Sequence, residues 1–473
     1  MQYNQLYLWR ICLIAALGGL LFGYDYVVIG GAKPFYEAHF GINDIPRLQG
    51  FIMSIAMFGC LFGALFSGMF ADRFGRKRLL ILSAILFVCT SIGNALATSL
   101  WTFGLFRLFG GVGIGLASGL SPIYIAEVSP KTVRGRFVSL NQLTIMIGML
   151  LAMIINYMIA RGVPAGITPE EIVRGWYGMY GWRWMIAAVA VPATFFFLCM
   201  LTVPESPRWL IKQKQSDRAR SVLTGIGGAE YAQEEIEEIE RTLLEERETR
   251  SDFREITRPA LRPILALGIF LAVFQQWCGF NVVMNYAEEV FRSAGYDISG
   301  MMSNIVMTGV VNLLFTFIAI ATVDRFGRRP LMLIGAGGLA LFYGLLGLGY
   351  YVQLAGPLML GLILLASGCF SMTLGPMVWV VLSEIFPNRI RGAAMSVAVA
   401  SLWIANIILT YTFPILNSTL GSYGTFWIYA VICAGSFLVV YRTLPETKGK
   451  SLEEIEAELL AGKPKTNHLK IER

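Results

Sequence analysis

Twelve long apolar blocks constrain this chain more than any other feature. They run at about 9–31, 48–71, 78–98, 101–126, 136–160, 184–203, 263–291, 302–322, 330–351, 356–384, 392–414 and 424–443. Each is of the length an α-helix needs to cross roughly 30 Å of hydrocarbon. A membrane β-barrel would instead show short alternating segments. Of the 473 residues, 56% are hydrophobic and only 15% charged, against about a quarter charged in a soluble chain. The first block is too long, and too poor in a small-residue cleavage site, for a removable signal peptide. The expectation is an all-α membrane protein with 12 transmembrane helices.

The remaining composition excludes several chemistries. Cys12, Cys60, Cys89, Cys199, Cys278, Cys369 and Cys433 lie singly inside the blocks and form no CxxC pair, so buried thiols are expected rather than a disulfide framework. Two histidines, His39 and His468, leave no multi-histidine metal site. No HExxH, GxSxG or Walker loop points to an enzyme. The net charge of +7 lies in alternate loops: Arg73, Arg76, Lys77 and Arg78; Lys131, Arg134 and Arg136; Arg325, Arg328 and Arg329; Arg389 and Arg391. Arg161, Arg174 and Arg183 make the fifth-to-sixth loop an imperfect case. By the positive-inside rule the rich loops and both termini face the cytoplasm. This placement assigns the charge to topology and lipid headgroups, not to nucleic acid. The loop at about 208–262 mixes acids and bases at i,i+4 spacing in EEIEEIERTLLEERETR, as on a solvated linker helix. Trp9, Trp101 and Trp427, near block ends, read as an interfacial belt.

The chain also repeats itself. ADRFGRKRLL at 71–80 returns as VDRFGRRPLM at 323–332, AEVSPKTVRGR at 126–136 as SEIFPNRIRGA at 383–393, and VPESPR at 203–208 as LPETKG at 444–449. Offsets close to half the chain divide it into two pseudo-symmetric six-helix halves. The expected domains are a half at 1–203, cytoplasmic linker helices at 204–262, a second half at 263–443 and a cytoplasmic tail at 444–473. Such a repeat points to a substrate site near the bilayer midplane, between halves that rock to give alternating access.

DRFGRK, the RGR of the fourth-to-fifth loop, PESPRWL, QQWCGFNVVMNY, DRFGRRP, GPMVWVVLSEIFP and PETKG occur in this order along nearly the whole chain. Together they resemble the major facilitator superfamily, and within it the sugar porter family. The nearest likeness is to its bacterial D-xylose–proton symporters, with animal glucose facilitators more distant. The resemblance implies the major facilitator fold and a monosaccharide substrate, with no cofactor. It also implies a monomer in a bacterial inner membrane.

A sugar needs amides that both donate and accept, and aromatic faces to stack on. Gln275, Gln276 and Asn281 in the seventh block supply amides, with Gln276 and Asn281 placed near one helical face and Gly279 loosening the helix between them. Gln142, Asn312, Trp379 and Trp403 with Asn406 add to the set, and Phe22 and Tyr24 lie beside Asp25. The resemblance places Gln142, Gln275, Gln276, Asn281, Asn312, Trp379 and Trp403 at positions lining the sugar site. A lone amide in a span is also explained by an interhelical hydrogen bond. Leu402, Asn285 and Met149 depart from the xylose-symporter pattern, where a glutamine, a tyrosine and a polar residue are expected. They leave the identity of the sugar open, with D-xylose first and D-glucose, L-arabinose and D-galactose behind.

Asp25 lies among apolar residues in LLFGYDYVVIG at 20–30, and a charge in hydrocarbon costs about 2.5 kcal/mol or more. Its candidate partner is Arg107 in GLFRLFGGVGIG, whose glycines are expected to bring the fourth span onto the first. In the proton-coupled sugar porters an acid in this place carries the proton and pairs with an arginine in that span. In the uncoupled facilitators it is an amide. The resemblance therefore implies proton symport, with Asp25 and Arg107 as the coupling pair. A structural pair that never titrates, a facilitator without coupling, a transport-silent sensor and a drug or organic-acid exporter are the alternatives.

The cytoplasmic motifs supply a further set. Asp72, Arg73, Arg76, Glu127, Arg134 and Glu205 in the first half, with Asp324, Arg325, Arg328, Glu384, Arg391 and Glu446 in the second, are expected to form an ionic lock. It would hold the two halves together when the outside gate is open.

Overall fold

The computed structural model describes residues 3–164, 166–248, 258–259, 261–387, 390–448, 450 and 454; the side chains of 245–248, 320 and 323–325 lie outside this set. Helices account for its regular structure, and no strand occurs among the described residues. They run as α1 (Gln5–Phe40), α2 (Pro46–Phe74), α3 (Arg76–Leu96), α4 (Leu100–Val128), α5 (Arg134–Ala160) and the short α6 (Pro169–Arg174). A π-turn at Tyr177–Gly181 leads into α7 (Trp182–Ala187) and α8 (Ala190–Thr202), followed by α9 (Pro207–Lys212) and α10 (Ser216–Glu248). Then come α11 (Arg262–Trp277), α12 (Phe280–Asn285), α13 (Ala287–Ser293), α14 (Ile298–Phe326), α15 (Arg328–Tyr351), α16 (Pro357–Met372), α17 (Leu374–Ile385) and α18 (Arg391–Thr443).

Eleven helical stretches are long and apolar enough to span a membrane, and the last, 53 residues long, is two spans joined at Gly421 (φ 68°). The described residues thus hold twelve spans. Large apolar side chains such as Phe66, Leu105, Phe195, Leu341 and Val431 lie exposed on the helix surfaces, as a lipid solvent allows and water would not.

α1 is longer than its apolar block. Asn4 caps its start by accepting the Tyr7 N–H, and Gly41 (φ 66°) ends it, donating to Ala38 and Glu37 carbonyls. The helix runs through Lys33, Pro34 and Glu37 because the two charges are paired inside the protein, not set in lipid.

α10 bends at Gly228 (φ 88°) and buries Ala219, Leu223, Ile226, Ala232, Ile236 and Ile239. It is one-sided rather than solvated all round, because these residues recur at helical spacing. The Asn4 N–H donates to the Ile226 carbonyl at 2.8 Å, and Lys131 pairs with Glu238.

The chain packs as two compact units. One comprises Met1–Thr249, Asn281–Leu313 and Ile407–Thr419; the other comprises Arg250–Phe280, Leu314–Asn406 and Leu420–Arg473.

Candidate functional site

In the first unit, glycines set the helix spacing. A Cβ on Gly23 would strike the Ile145 carbonyl, and one on Gly148 the Leu20 carbonyl, so α1 and α5 touch backbone to backbone. α2 and α4 do the same, Gly59 against the Leu108 carbonyl, Gly111 against that of Ala56 and Gly115 against that of Cys60. This corrects one expectation. Gly111 and Gly115 share the face of α4 that meets α2, while α4 approaches α1 through Ser121, which lies against Gly18.

The acid and its candidate cation do meet. Asp25 Oδ2 lies 3.6 Å from an Arg107 terminal nitrogen, with both side chains more than nine-tenths buried. That separation is too long for a hydrogen bond. Asp25 Oδ2 and the Nε and Nη2 atoms of Arg107 accordingly have no hydrogen-bond partner. The two groups attract at short range without a directional bond between them.

Near this pair, the Phe22 and Tyr26 rings meet edge to face at 6.0 Å. Asn285 Nδ2 donates to the Tyr26 hydroxyl at 3.2 Å, which gives the departure at position 285 a concrete contact. Asn312 Nδ2 lies 3.6 Å from Met284 Sδ. Gln142 is half-buried on α5, with no protein hydrogen-bond partner among the described residues. Tyr26 and Asn156, which donates to the Val28 carbonyl at 3.0 Å, were not singled out from the sequence. Nothing in a lone tyrosine or asparagine of a span marks it.

In the second unit the seventh span breaks where Gly279 takes φ 90°, a conformation open to glycine but strained for other residues. Because α11 stops at Trp277 and α12 starts at Phe280, Gln276 and Asn281 lie on separate helices rather than on the one continuous helix expected. Gln275 Nε2 donates to the Gly375 carbonyl at 2.9 Å and to that of Leu374 at 3.3 Å. These carbonyls lie at the break between α16 and α17, so Gln275 stitches one interrupted span to another. Gln276 Nε2 lies 3.5 Å from Gln275 Oε1. Trp277 Nε1 donates to the Ala405 carbonyl at 3.0 Å, on the helix that carries Trp403 and Asn406. Trp379 is exposed and Trp403 buried.

The cytoplasmic motifs form one network in each unit. In the first, Glu205 Oε1 accepts the backbone N–H groups of Arg76 and Lys77 at 3.0 and 2.9 Å, the Arg76 guanidinium reaches Glu127 at 2.9 Å and Asp72 at 3.3 Å, and Lys212 pairs with Asp72 at 2.8 Å. In the second, Glu446 accepts the N–H groups of Arg328 and Arg329 at 3.0 and 3.2 Å, and Arg328 pairs with Glu384 at 3.2 Å. Arg73 stacks over Phe74 instead, and Arg391 donates to the Phe386 carbonyl. Arg134 keeps a buried Nε without a hydrogen-bond partner. The side chains of Asp324 and Arg325 lie outside the described residues.

One cluster escaped the sequence reading. Lys33, Glu37, Glu288 and Glu289 meet in the first unit with the Lys33 side chain only 2% exposed. The available signals were the i,i+4 Lys33–Glu37 pair, in the stretch immediately after the first apolar block, and the adjacent acids Glu288 and Glu289 inside the seventh block.

Twelve spans with buried charges and amides inside them define a multi-pass membrane protein. The profile of the Sugar (and other) transporter family matches residues 11–459, and the chain belongs to that family. It is 39% identical over 486 residues to the D-xylose-proton symporter of Escherichia coli (strain K12), covering 96% of each chain. It is also 39% identical over 447 residues to the arabinose-proton symporter of Bacillus subtilis (strain 168), covering 94% of each. A structure of the E. coli xylose transporter in an inward-open conformation superposes with a TM-score of 0.83 at 37% identity, covering 95% of this chain and 99% of that one.

Proposed function

We propose that this protein is a proton-coupled monosaccharide symporter, with D-xylose the first substrate to test and D-glucose, L-arabinose and D-galactose next. It carries the sugar inward across a bacterial inner membrane by alternating access. Both termini are cytoplasmic, and the halves are 1–203 and 263–443. The observation that carries the reading is the buried Asp25–Arg107 contact, with its missing hydrogen bonds. The relatives named xylose- and arabinose-proton symporters support it. Phe22, Gln142, Gln275, Gln276, Asn281, Asn312, Trp379 and Trp403 are the proposed sugar contacts.

In the cycle, Asp25 takes a proton from the acidic outside and sugar binds. At the inside, lower proton activity and the Arg107 charge favour loss of the proton, and sugar leaves. Coupling requires that the two states hold the proton with different affinity. The two cytoplasmic networks are proposed to exchange partners during the cycle, forming the lock between halves; Glu384→Gln or Arg134→Ala then slows turnover without reducing membrane insertion.

The test is uptake in proteoliposomes under an imposed pH gradient. Asp25→Asn is expected to abolish uphill accumulation and sugar-driven proton uptake while retaining exchange of labelled sugar. Full accumulation by that variant refutes the coupling. Wild-type uptake indifferent to the gradient identifies a facilitator.

A further inference from the structure

The charges at the end of α1 take no part in the Asp25–Arg107 pair. Lys33 Nζ is bound by Glu37 Oε2 at 3.0 Å from its own helix, by Glu289 Oε1 from α13, and by Glu288 Oε2 at 3.6 Å. Gln49 of α2 adds a donor to Glu37 Oε2 at 3.0 Å. Arg292 pairs with Glu288 from an exposed position. The Tyr286 ring lies 5.6 Å from the ammonium, and its hydroxyl donates to the Thr410 carbonyl at 2.6 Å. Tyr36 is the other titratable side chain facing the cluster, and Arg107 of α4 is felt there through Tyr36.

Three carboxylates therefore surround one buried ammonium and one exposed guanidinium, leaving an excess negative charge. Each carboxylate also keeps one buried oxygen without a hydrogen-bond partner: Glu37 Oε1, Glu288 Oε2 and Glu289 Oε2. A single proton on one carboxylate cancels the excess charge and turns one of these acceptors into a donor. Once the carboxylates are exposed to water, hydration stabilises their charges and removes the need for that proton.

We propose that this cluster is a second proton site, filled when Lys33 and Glu37 of α1 close on Glu288 and Glu289 of α13 and emptied when they separate. The proposal rests on the orientation given above, which puts this end of α1 outside. It adds a role for the proton: besides neutralising Asp25, an acidic exterior favours the closed outer end of α1. Lys33, Glu37, Glu288 and Glu289 become positioning residues of the cycle that never touch sugar.

The test reads amide hydrogen exchange in the purified full-length chain carrying Asp25→Asn, so that the coupling pair does not titrate. Peptides covering 30–45 and 286–297 are followed from about pH 5 to 9, corrected for the intrinsic pH dependence of exchange. Protection is expected to fall about tenfold or more through one transition as pH rises. Glu37→Gln with Glu288→Gln keeps both peptides protected throughout; Glu289→Gln alone replaces it where the double variant does not fold. Lys33→Met moves the transition upward by about one pH unit or more, since removing the ammonium strengthens the carboxylates' hold on the proton. A flat profile, or a transition unchanged by the carboxamide variants, overturns the proposal. So does uniform loss of protection in Lys33→Met at every pH, which is the mark of a purely mechanical strap. Failure of Asp25 coupling appears in uptake assays and leaves these exchange profiles unaffected.

Discussion

Asp25 and Arg107 lie close enough to attract and too far apart to be hydrogen-bonded. In the interior such a pair interacts by several kcal/mol even at an effective dielectric of about 20, yet nothing directional holds either partner. That combination suits the alternation between charged and neutral forms that the proposed coupling requires. The amides divide differently. Gln275 donates to the Leu374 and Gly375 carbonyls, whereas Gln142, one of the proposed sugar contacts, has no protein hydrogen-bond partner among the described residues. Gln142→Ala should therefore weaken equilibrium binding of labelled D-xylose about 5- to 10-fold, the loss of roughly one hydrogen bond, with the pH dependence of binding unchanged. Binding equal to wild type removes Gln142 from the site. The residue types were readable from the sequence; the division of labour between Gln142 and Gln275 was not, because it depends on where carbonyls are exposed by a break in a different span.

The repeated DRFGR motif acts as an element rather than as a set of charges. Gly75 (φ 95°) ends α2 and Gly327 (φ 85°) ends α14 in a backbone conformation suited to glycine. A Cβ on Gly75 would meet the Glu205 carboxylate, and one on Gly327 would meet that of Glu446 at 2.8 Å. The absent side chains let each acid reach two free N–H groups at the start of the next helix, α3 or α15, where the helix dipole also favours a negative charge. PESPR and PETKG are thus remote caps as well as candidate lock residues. Glu446→Ala should lower stability by about 1–3 kcal/mol, read as an earlier thermal unfolding transition, and Glu205→Ala should do the same for the first half. Unshifted transitions in both would show that the caps are dispensable. The motif repeat announced the duplication, and hydrophobic length announced the spans. The kinks at Gly279 and between Met372 and Leu374 were only partly legible: glycine marked the first, but Thr373 carries no such signal.

For the molecule as a whole, the asymmetry of basic loops underlies the proposed orientation. A unique cysteine at Lys448, in a variant cleared of its seven native cysteines, should react with impermeant maleimide only after the inner face is exposed. One at Asn43 should react from outside in intact cells. Reversed accessibility would invert the topology and move the Lys33 cluster to the cytoplasmic face. Hydropathy and repetition by themselves determined that this chain spans a membrane twelve times in two related halves, because lipid leaves the backbone few alternatives and each block carries its own hydrogen bonds. Tertiary structure alone decided which buried charges meet. Lys33 and Glu289 are 256 residues apart in the chain, and no local pattern links them. They meet because Gly30 lets α1 come within contact distance of the Met284 and Asn285 carbonyls of α12, just before α13. Charges separated this far in sequence are paired by helix packing, which depends on side-chain shape over the whole contact and not on any motif.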